Sequence, residues 1–328
     1  MSSKSEIIRV LKEAFQRETD SFEFYRKAGS SSGEADVEAL FIQLAEEERK
    51  HRIFLRQELS RIEAMMDSGV DANRIDADAV RFLPPADIPF RDMKSLPGID
   101  ISAVGLPGEM FGGDWVDSFV IRNDGQTPLL GFYLYDVMGH GIEATRLKAE
   151  ARKALGMFRE RGLEGRGGVD LRRPGQVLTE LNRLLIRECM GLRRFVSMFY
   201  GVVDPSSRNL VYASAGHEPP LVLGSADDAS LLDETELLIG IDRNVHYIDR
   251  ERTLTPDGVL VLYSDGLTEA VHPDKGMFGR ERVCEAAVLH RIRNAENILE
   301  RIMASLVSFL EGHPVDDELT LAVMKMQP

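Results

Sequence analysis

Five aspartates stand at or beside the ends of apolar runs. Asp114 and Asp117 lie in GGDWVD. Asp136 closes LLGFYLYD before VMGHG, Asp265 closes GVLVLYSDG, and Asp317 stands in DDELT just before the last apolar run. Carboxylates beside glycines at strand ends suit hard divalent cations. Mg2+ and Mn2+ take oxygen ligands and keep waters, and glycine lets a backbone carbonyl approach an ion. Two such ions about 4 Å apart share a water, activate it, and clamp a phosphoryl oxygen. A glycine-flanked aspartate taken singly is an ordinary turn residue. Spacing alone leaves the turn and metal readings level.

Other chemistry-bearing residues point less far. His140, between two loop glycines, is either a donor to a phosphate or water or a local structural residue. His217, in AGHEPP, reads as a turn histidine bonded to backbone. His246, His272, His290 and His313 have no constellation around them. Cys189 and Cys284 fall in helical stretches without a histidine partner, so they read as packing residues rather than nucleophiles.

The elements that position the aspartates begin near residue 99. IDISAVGL, WVDSFVI, LLGFYLYDVM, RFVSMFYGVVD, NLVYASAGH, PLVLG, GVLVLYSDGL and LTLAVMKM are strand-like. Helices are expected at 141–162, 174–190, 279–290 and 294–311. The order is strands, a helix pair, more strands, a second helix pair and a final strand. That is not the alternation of a doubly wound sheet; it suits antiparallel sheets covered by helices, an α+β class.

The chain ahead of this region is different. Residues 5–66 read as two helices broken by GSSSGEAD at 29–36. Ile7, Ile8, Leu11, Phe15, Phe22 and Tyr25 recur at helical spacing on the first, and Leu40, Leu44, His51, Phe54, Leu55, Leu59 and Ile62 form a stripe along the second. Residues 70–97 hold four prolines in FLPPADIPFRDMKSLPG and little periodicity. The expected organisation is a helical hairpin over 1–69, a linker over 70–97 and an α+β domain over 98–328. A two-helix hairpin cannot enclose a core, so its stripes need a partner. Self-pairing into a four-helix homodimer is the favoured solution, and packing on its own α+β domain the competing one.

The 328 residues carry a net charge of −14. A broad phosphate-backbone-binding surface is therefore not expected, because that footprint is basic. Two cysteines exclude a disulfide-dense scaffold and an all-cysteine cluster within one chain. The amphipathic start and the lack of a long apolar stretch lead us to expect a cytoplasmic protein without nucleic-acid or membrane partners.

GGDWVD, LYDVMGHG, FVSMFYGVVD with NLVYASAGHEPPLVL, LVLYSDGLTEA, MFGRERV and DDELTLAVM together resemble the bacterial sporulation and stress-response branch of metal-dependent serine/threonine phosphatases. Each motif is weak alone; six in order are specific. The resemblance implies a PP2C-like α-β-β-α sandwich of two antiparallel sheets, each flanked by a helix pair. It implies phosphoserine or phosphothreonine hydrolysis by metal-activated water, with two Mn2+ or Mg2+ ions and no covalent phosphoenzyme. The implied substrate is a small phosphorylated regulator of the anti-anti-sigma-factor kind. By the same resemblance Asp136 bridges the ions, the Val137 carbonyl is a backbone ligand, and Asp265 and Asp317 each complete one ion. Asp114 contacts metal-bound water or the adjacent ion, and Asp117 holds a water or the loop. Gly112, Gly113, Gly139 and Gly141 shape the loops. Asp317, rather than Asp316, aligns with the ligand position. The alternatives carried with this reading are an inactive binding module on the same fold and a di-iron redox protein.

The hairpin resembles half of a rubrerythrin or ferritin-like bundle. Glu18 on the first helix, and Glu48 with His51 in AEEERKH on the second, match the glutamate and Glu-x-x-His pair that each half supplies. An iron site would need the same residues from two chains; the other outcome is a bundle that kept the shape and lost the metal.

Overall fold

The computed structural model describes 16, 19, 22–28, 41 and 45 near the N-terminus. It also describes 91, 93–106, 113–122, 125, 127–139, 142–163, 168–192, 194–224, 229–313, 315 and 317–327. The chain divides into two compact units, Met1–Ala79 and Val80–Pro328. In the first, residues 22–28 are helical, and Tyr25 is buried with its ring 6.1 Å from that of Phe41. Glu18, Glu48 and His51, most of the two hairpin helices and residues 70–90 lie outside the described residues.

The second unit is built on twelve strands and five helical segments among the described residues. In chain order these are β1 (Ile99–Leu106), β2 (Trp115–Ile121), β3 (Leu129–Val137), α1 (Ile142–Leu163), α2 (Pro174–Leu192), β4 (Val196–Val203), β5 (Asn209–Ala215), β6 (Leu221–Leu223), β7 (Ala229–Leu231), β8 (Arg250–Thr253), β9 (Val259–Tyr263), the single turn α3 (Asp265–Thr268), β10 (Val271–His272), β11 (Gly276–Met277), α4 (Gly279–His290), α5 (Ala295–Leu310) and β12 (Leu319–Met326). One sheet runs β1-β12-β9-β6-β7 and the other β2-β3-β4-β5-β8, all neighbours antiparallel; β10 and β11 form a small separate hairpin. The long strands and helices fall where the sequence places them. The two-residue strands β10 and β11 are too short to show a period.

Strand alternation sorts the side chains into three cores. Leu130, Phe132 and Leu134 of β3 meet Leu260 and Leu262 of β9 and Ala322 and Met324 of β12 between the sheets. Their odd-numbered neighbours Tyr133, Tyr135 and Val137 face Leu147, Ala151, Leu178 and Leu181 of α1 and α2. Val259, Val261, Leu321 and Val323 face Val283, Ile298, Ile302 and Leu306 of α4 and α5. Because helices cover the outer faces, β9 and β12 are buried on both sides. That is why they read as continuous apolar runs and not as alternating ones. The architecture is the α-β-β-α sandwich of the α+β class.

Candidate metal centre

The same alternation carries past the strand ends. Asp136 falls in step with Leu130, Phe132 and Leu134, so it belongs to the gap between the sheets. Glu318 and Thr320 fall in step with Ala322 and Met324, and Ser264 with Leu260 and Leu262. One end of the gap is therefore polar where the rest is oil. Ser264 and Thr320 are tied by two hydrogen bonds: Ser264 N–H donates to the Thr320 carbonyl, and Thr320 N–H to Ser264 Oγ, both 2.9 Å. This fixes Asp265, which opens α3, beside Asp317 and Glu318.

Asp114 enters from the segment before β2 and is 1% exposed. Its N–H donates to Glu318 Oε2 at 2.6 Å. Gly113 makes this possible, because a Cβ there would collide with the Val137 amide and carbonyl. The Asp114 segment thus lies directly on the end of β3. Glu318 also pairs with Lys148 of α1 at 3.5 Å, both side chains nearly buried. Asp317 Oδ1 accepts the Glu318 N–H at 2.7 Å. Trp115, next in the chain, lies on the helix-covered face, with Lys148 Nζ 5.7 Å and the Arg152 guanidinium 3.7 Å from its ring.

The electrostatics follow from crowding. Burial, then Glu318, then Asp136 hold the Asp114 carboxyl well above the usual carboxylate range; Ser264 and Thr320 beside it act in the opposite direction. Burial, then Asp265, push Asp136 up to about 7. Burial, then Asp317, raise Asp265. Asp114, Asp136, Asp265, Asp317 and Glu318 thus gather at one place, and among the described residues the cation ion-paired with them is Lys148. Such an excess of buried carboxylate calls for added positive charge.

The donor set fits hard divalent cations: it is all oxygen, and Asp114 Oδ2 and Thr320 Oγ1 are buried without a hydrogen-bond partner. No three acidic, histidine or cysteine side chains among the described residues close to ligating distance as they stand. The fit therefore rests on donor type and the orphaned oxygens.

Asp136, Asp265, Asp317 and Asp114, which the sequence singles out, come together; Asp117 does not join them. Its carboxylate accepts from Arg159 at 2.9 Å and Tyr133 at 3.2 Å, fastening α1 to β2 and β3. Asp117 is in step with Trp115 and Phe119, on the helix-covered face, so it holds Arg159 and Tyr133 there and not the water or loop expected of it. His217 is 5% exposed and bonds the Ser197 hydroxyl through Nδ1 at 2.9 Å, not the backbone as expected. Ser197 lies opposite Asp136 in the β3–β4 register. His272 and His313 do have a setting: their rings are 4.8 Å apart, and His272 Nε2 is 3.6 Å from Glu311. Cys189 is buried in the core under α1 and α2, and Cys284 packs against the separate core under α4 and α5. Gly112, His140, Gly141 and Asp316 lie outside the described residues. Sequence reasoning missed Glu318 and Lys148. The one available signal for Glu318 was its even-numbered step with Thr320, Ala322 and Met324.

Two helix-flanked antiparallel sheets with carboxylates at the end of the gap between them define the class: a PP2C-like sandwich. The SiaA-PP2C domain of Pseudomonas aeruginosa shares this fold, with a TM-score of 0.56 and 22% identity over 69% of this chain and 86% of that one. The structure of the RsbU and RsbW domains of a Mycobacterium tuberculosis protein gives a TM-score of 0.57 and 23% identity over 73% of this chain and 62% of that one. The chain belongs to the Stage II sporulation protein E (SpoIIE) family, whose model matches residues 128–327. The Rubrerythrin family model matches residues 9–80. Among curated relatives, phosphoserine phosphatase RsbU of Bacillus subtilis is 27% identical over 228 residues, 69% of this chain and 63% of that protein. The chain thus spans less than two thirds of that relative's length. No helix among the described residues is long and apolar enough to cross a membrane.

Proposed function

We propose that the chain is a metal-dependent phosphoserine/phosphothreonine protein phosphatase whose substrate is a small phosphorylated regulator similar to an anti-anti-sigma factor. The observation that carries this reading is the gathering of Asp114, Asp136, Asp265, Asp317 and Glu318 at the end of the inter-sheet gap. The relative named a phosphoserine phosphatase, and the solved structure that joins RsbU and RsbW domains, support the reaction and the kind of pathway. The cytoplasm is the compartment such a substrate implies.

In this reading Asp136, the Val137 carbonyl, Asp265 and Asp317 would hold two Mn2+ or Mg2+ ions, with Asp114 next to them. Bound there, the ions supply an activated water and neutralise phosphoryl charge. Glu318 holds the Asp114 backbone and draws Lys148 to the site; Ser264 and Thr320 lock the strand ends that carry Asp265 and Asp317. The preceding helical unit acts as a dimerising or sensory module. Its match to the Rubrerythrin model supports Glu18, Glu48 and His51 as an iron site shared by two chains.

The test is phosphate release from a phosphoserine peptide with and without Mn2+. Metal-dependent release that Asp136→Asn reduces by more than about a hundredfold is the expected result, since even residues behind the ligands contribute tens of fold. Release that is indifferent to both metal and Asp136 removes the assignment.

A further inference from the structure

A groove of about 550 Å3 runs between α2 and the segment 236–249, lined by Arg183, Leu184, Arg187, Arg243, Asn244 and His246. It is built rather than incidental. Buried Asn182 clips the segment to α2 from both sides: its Nδ2 donates to the Asp242 carbonyl and its Oδ1 accepts from Gly240 N–H, each 2.8 Å. Thr179 Oγ1 accepts the Tyr247 N–H at 3.2 Å, and Asp249 Oδ1 the Gly175 N–H at 2.6 Å. Gly240 sits at φ +99°, and a Cβ there would collide with Cys189, so the segment lies as close to α2 as a backbone can.

Two features of the groove call for a protein partner. Arg183 pairs with Glu180, but Arg187 and Arg243 have no carboxylate partner among the described residues. In a chain of net charge −14, these two guanidinium groups give the groove a locally positive lining. Beside it lie exposed apolar side chains: Leu184 at 49%, Ile241 at 43% and Met190 at 64%. Guanidinium groups recognise carboxylates and phosphates, and apolar side chains among them favour a protein over a small ion. The groove is also joined to the candidate centre. Val196, paired with Val137 at the end of β3, bridges Ile239, four residues before Arg243.

We propose that this groove is a docking surface for an acidic flank of the phosphorylated protein substrate. The inference rests on the phosphatase reading above, and it names how that site selects its partner. Docking here lowers KM and leaves the chemical step alone, because the contact is the same before and during reaction.

The experiment uses the full chain with Mn2+ and three probes. One is para-nitrophenyl phosphate. The others are two peptides with a phosphoserine joined by a long flexible glycine–serine linker to either a run of glutamates or a run of glutamines. We expect the glutamate peptide to be favoured about tenfold in kcat/KM, through KM, as expected of a charge contact outside the reacting centre. The preference should vanish in Arg187→Glu with Arg243→Glu and fade near about 0.5 M salt, while the rate on para-nitrophenyl phosphate stays unchanged. The milder Arg187→Gln with Arg243→Gln pair serves if charge reversal harms folding. A preference that survives the substitutions, or none in the unaltered chain, overturns the docking proposal. If no probe is hydrolysed, the phosphatase reading fails instead. Docking is then judged by fluorescence anisotropy of a labelled glutamate peptide, which the unaltered chain should bind about tenfold more tightly than the reversed variant. Equal binding overturns it.

Discussion

The backbone N–H of Asp114 donates to Glu318 Oε2 at 2.6 Å, across 204 positions of chain. This one bond joins the segment before β2 to the segment before β12, hence one sheet to the other at the mouth of the gap. Glu318 thereby decides where Asp114 lies, and Lys148 of α1 offsets part of the charge that this brings together.

The consequence for Glu318 is testable. Glu318→Gln keeps an oxygen for the Asp114 N–H but releases Lys148. Apparent Mn2+ affinity, read by calorimetric titration, should fall by about 10–100-fold with the fold intact, the usual range for groups that orient metal ligands. An unchanged affinity would reduce Glu318 to a structural link.

The choice between neighbouring aspartates can be settled in the same way. After burial, the charge of Asp317 is the next cause that raises the Asp265 carboxyl. Asp317→Asn should weaken Mn2+ binding and turnover by more than about a hundredfold, whereas Asp316→Asn should change either by less than about threefold. The reverse order would move the ligand assignment by one residue.

His217 predicts a pH dependence of stability. Burial pushes its imidazole down to about 3, and its Nε2 has no hydrogen-bond partner. The neighbouring Glu218 is paired with Arg280 at 3.1 Å. A histidine with a depressed folded pKa is neutral when folded and takes up a proton on unfolding below its ordinary value near 6.5. Its contribution is therefore fully present above about pH 6.5 and is lost, at about 1.4 kcal/mol per pH unit, as pH falls towards the folded value. Asp114, Asp136 and Asp265 have raised values and act in the opposite direction on acidification. The measurement is therefore a difference: urea unfolding of the unaltered chain and His217→Gln at pH 7.5 and about pH 5. The gap between them should narrow at the lower pH, and a constant gap contradicts a buried neutral imidazole.

The N-terminal unit gives a composition test. The full chain purified from iron-supplied cells should be a dimer by light scattering and contain iron, lost in Glu48→Gln with His51→Ala. A dimer without iron would leave a structural bundle, and a monomer would remove the shared site.

Much of the fold was legible because its causes are local. GVLVLY and LTLAVMKM announce buried strands, and the helix pairs announce themselves by length and period. Their succession suited antiparallel sheets covered by helices, and the family resemblance implied the four-layer order. Asp136, Asp265 and Asp317 were legible for the same reason, as carboxylates where apolar runs stop. Asp117 was expected to hold a water or the loop; the strand WVDSFVI was legible, but which partner lies across its helix-covered face was not, and there alternation turns Asp117 towards Arg159.

The sequence by itself determined which segments are strands and helices and which aspartates end them, since period and turn chemistry act over a few residues. Only the tertiary structure decided that Glu318 and Lys148 complete the carboxylate cluster, that His217 bonds Ser197, and that Arg187 and Arg243 share a groove. Those meetings depend on the strand orders β1-β12-β9-β6-β7 and β2-β3-β4-β5-β8 and on the clip at Asn182. Which strand lies beside which is settled by burying all three cores at once, and no local spacing encodes that.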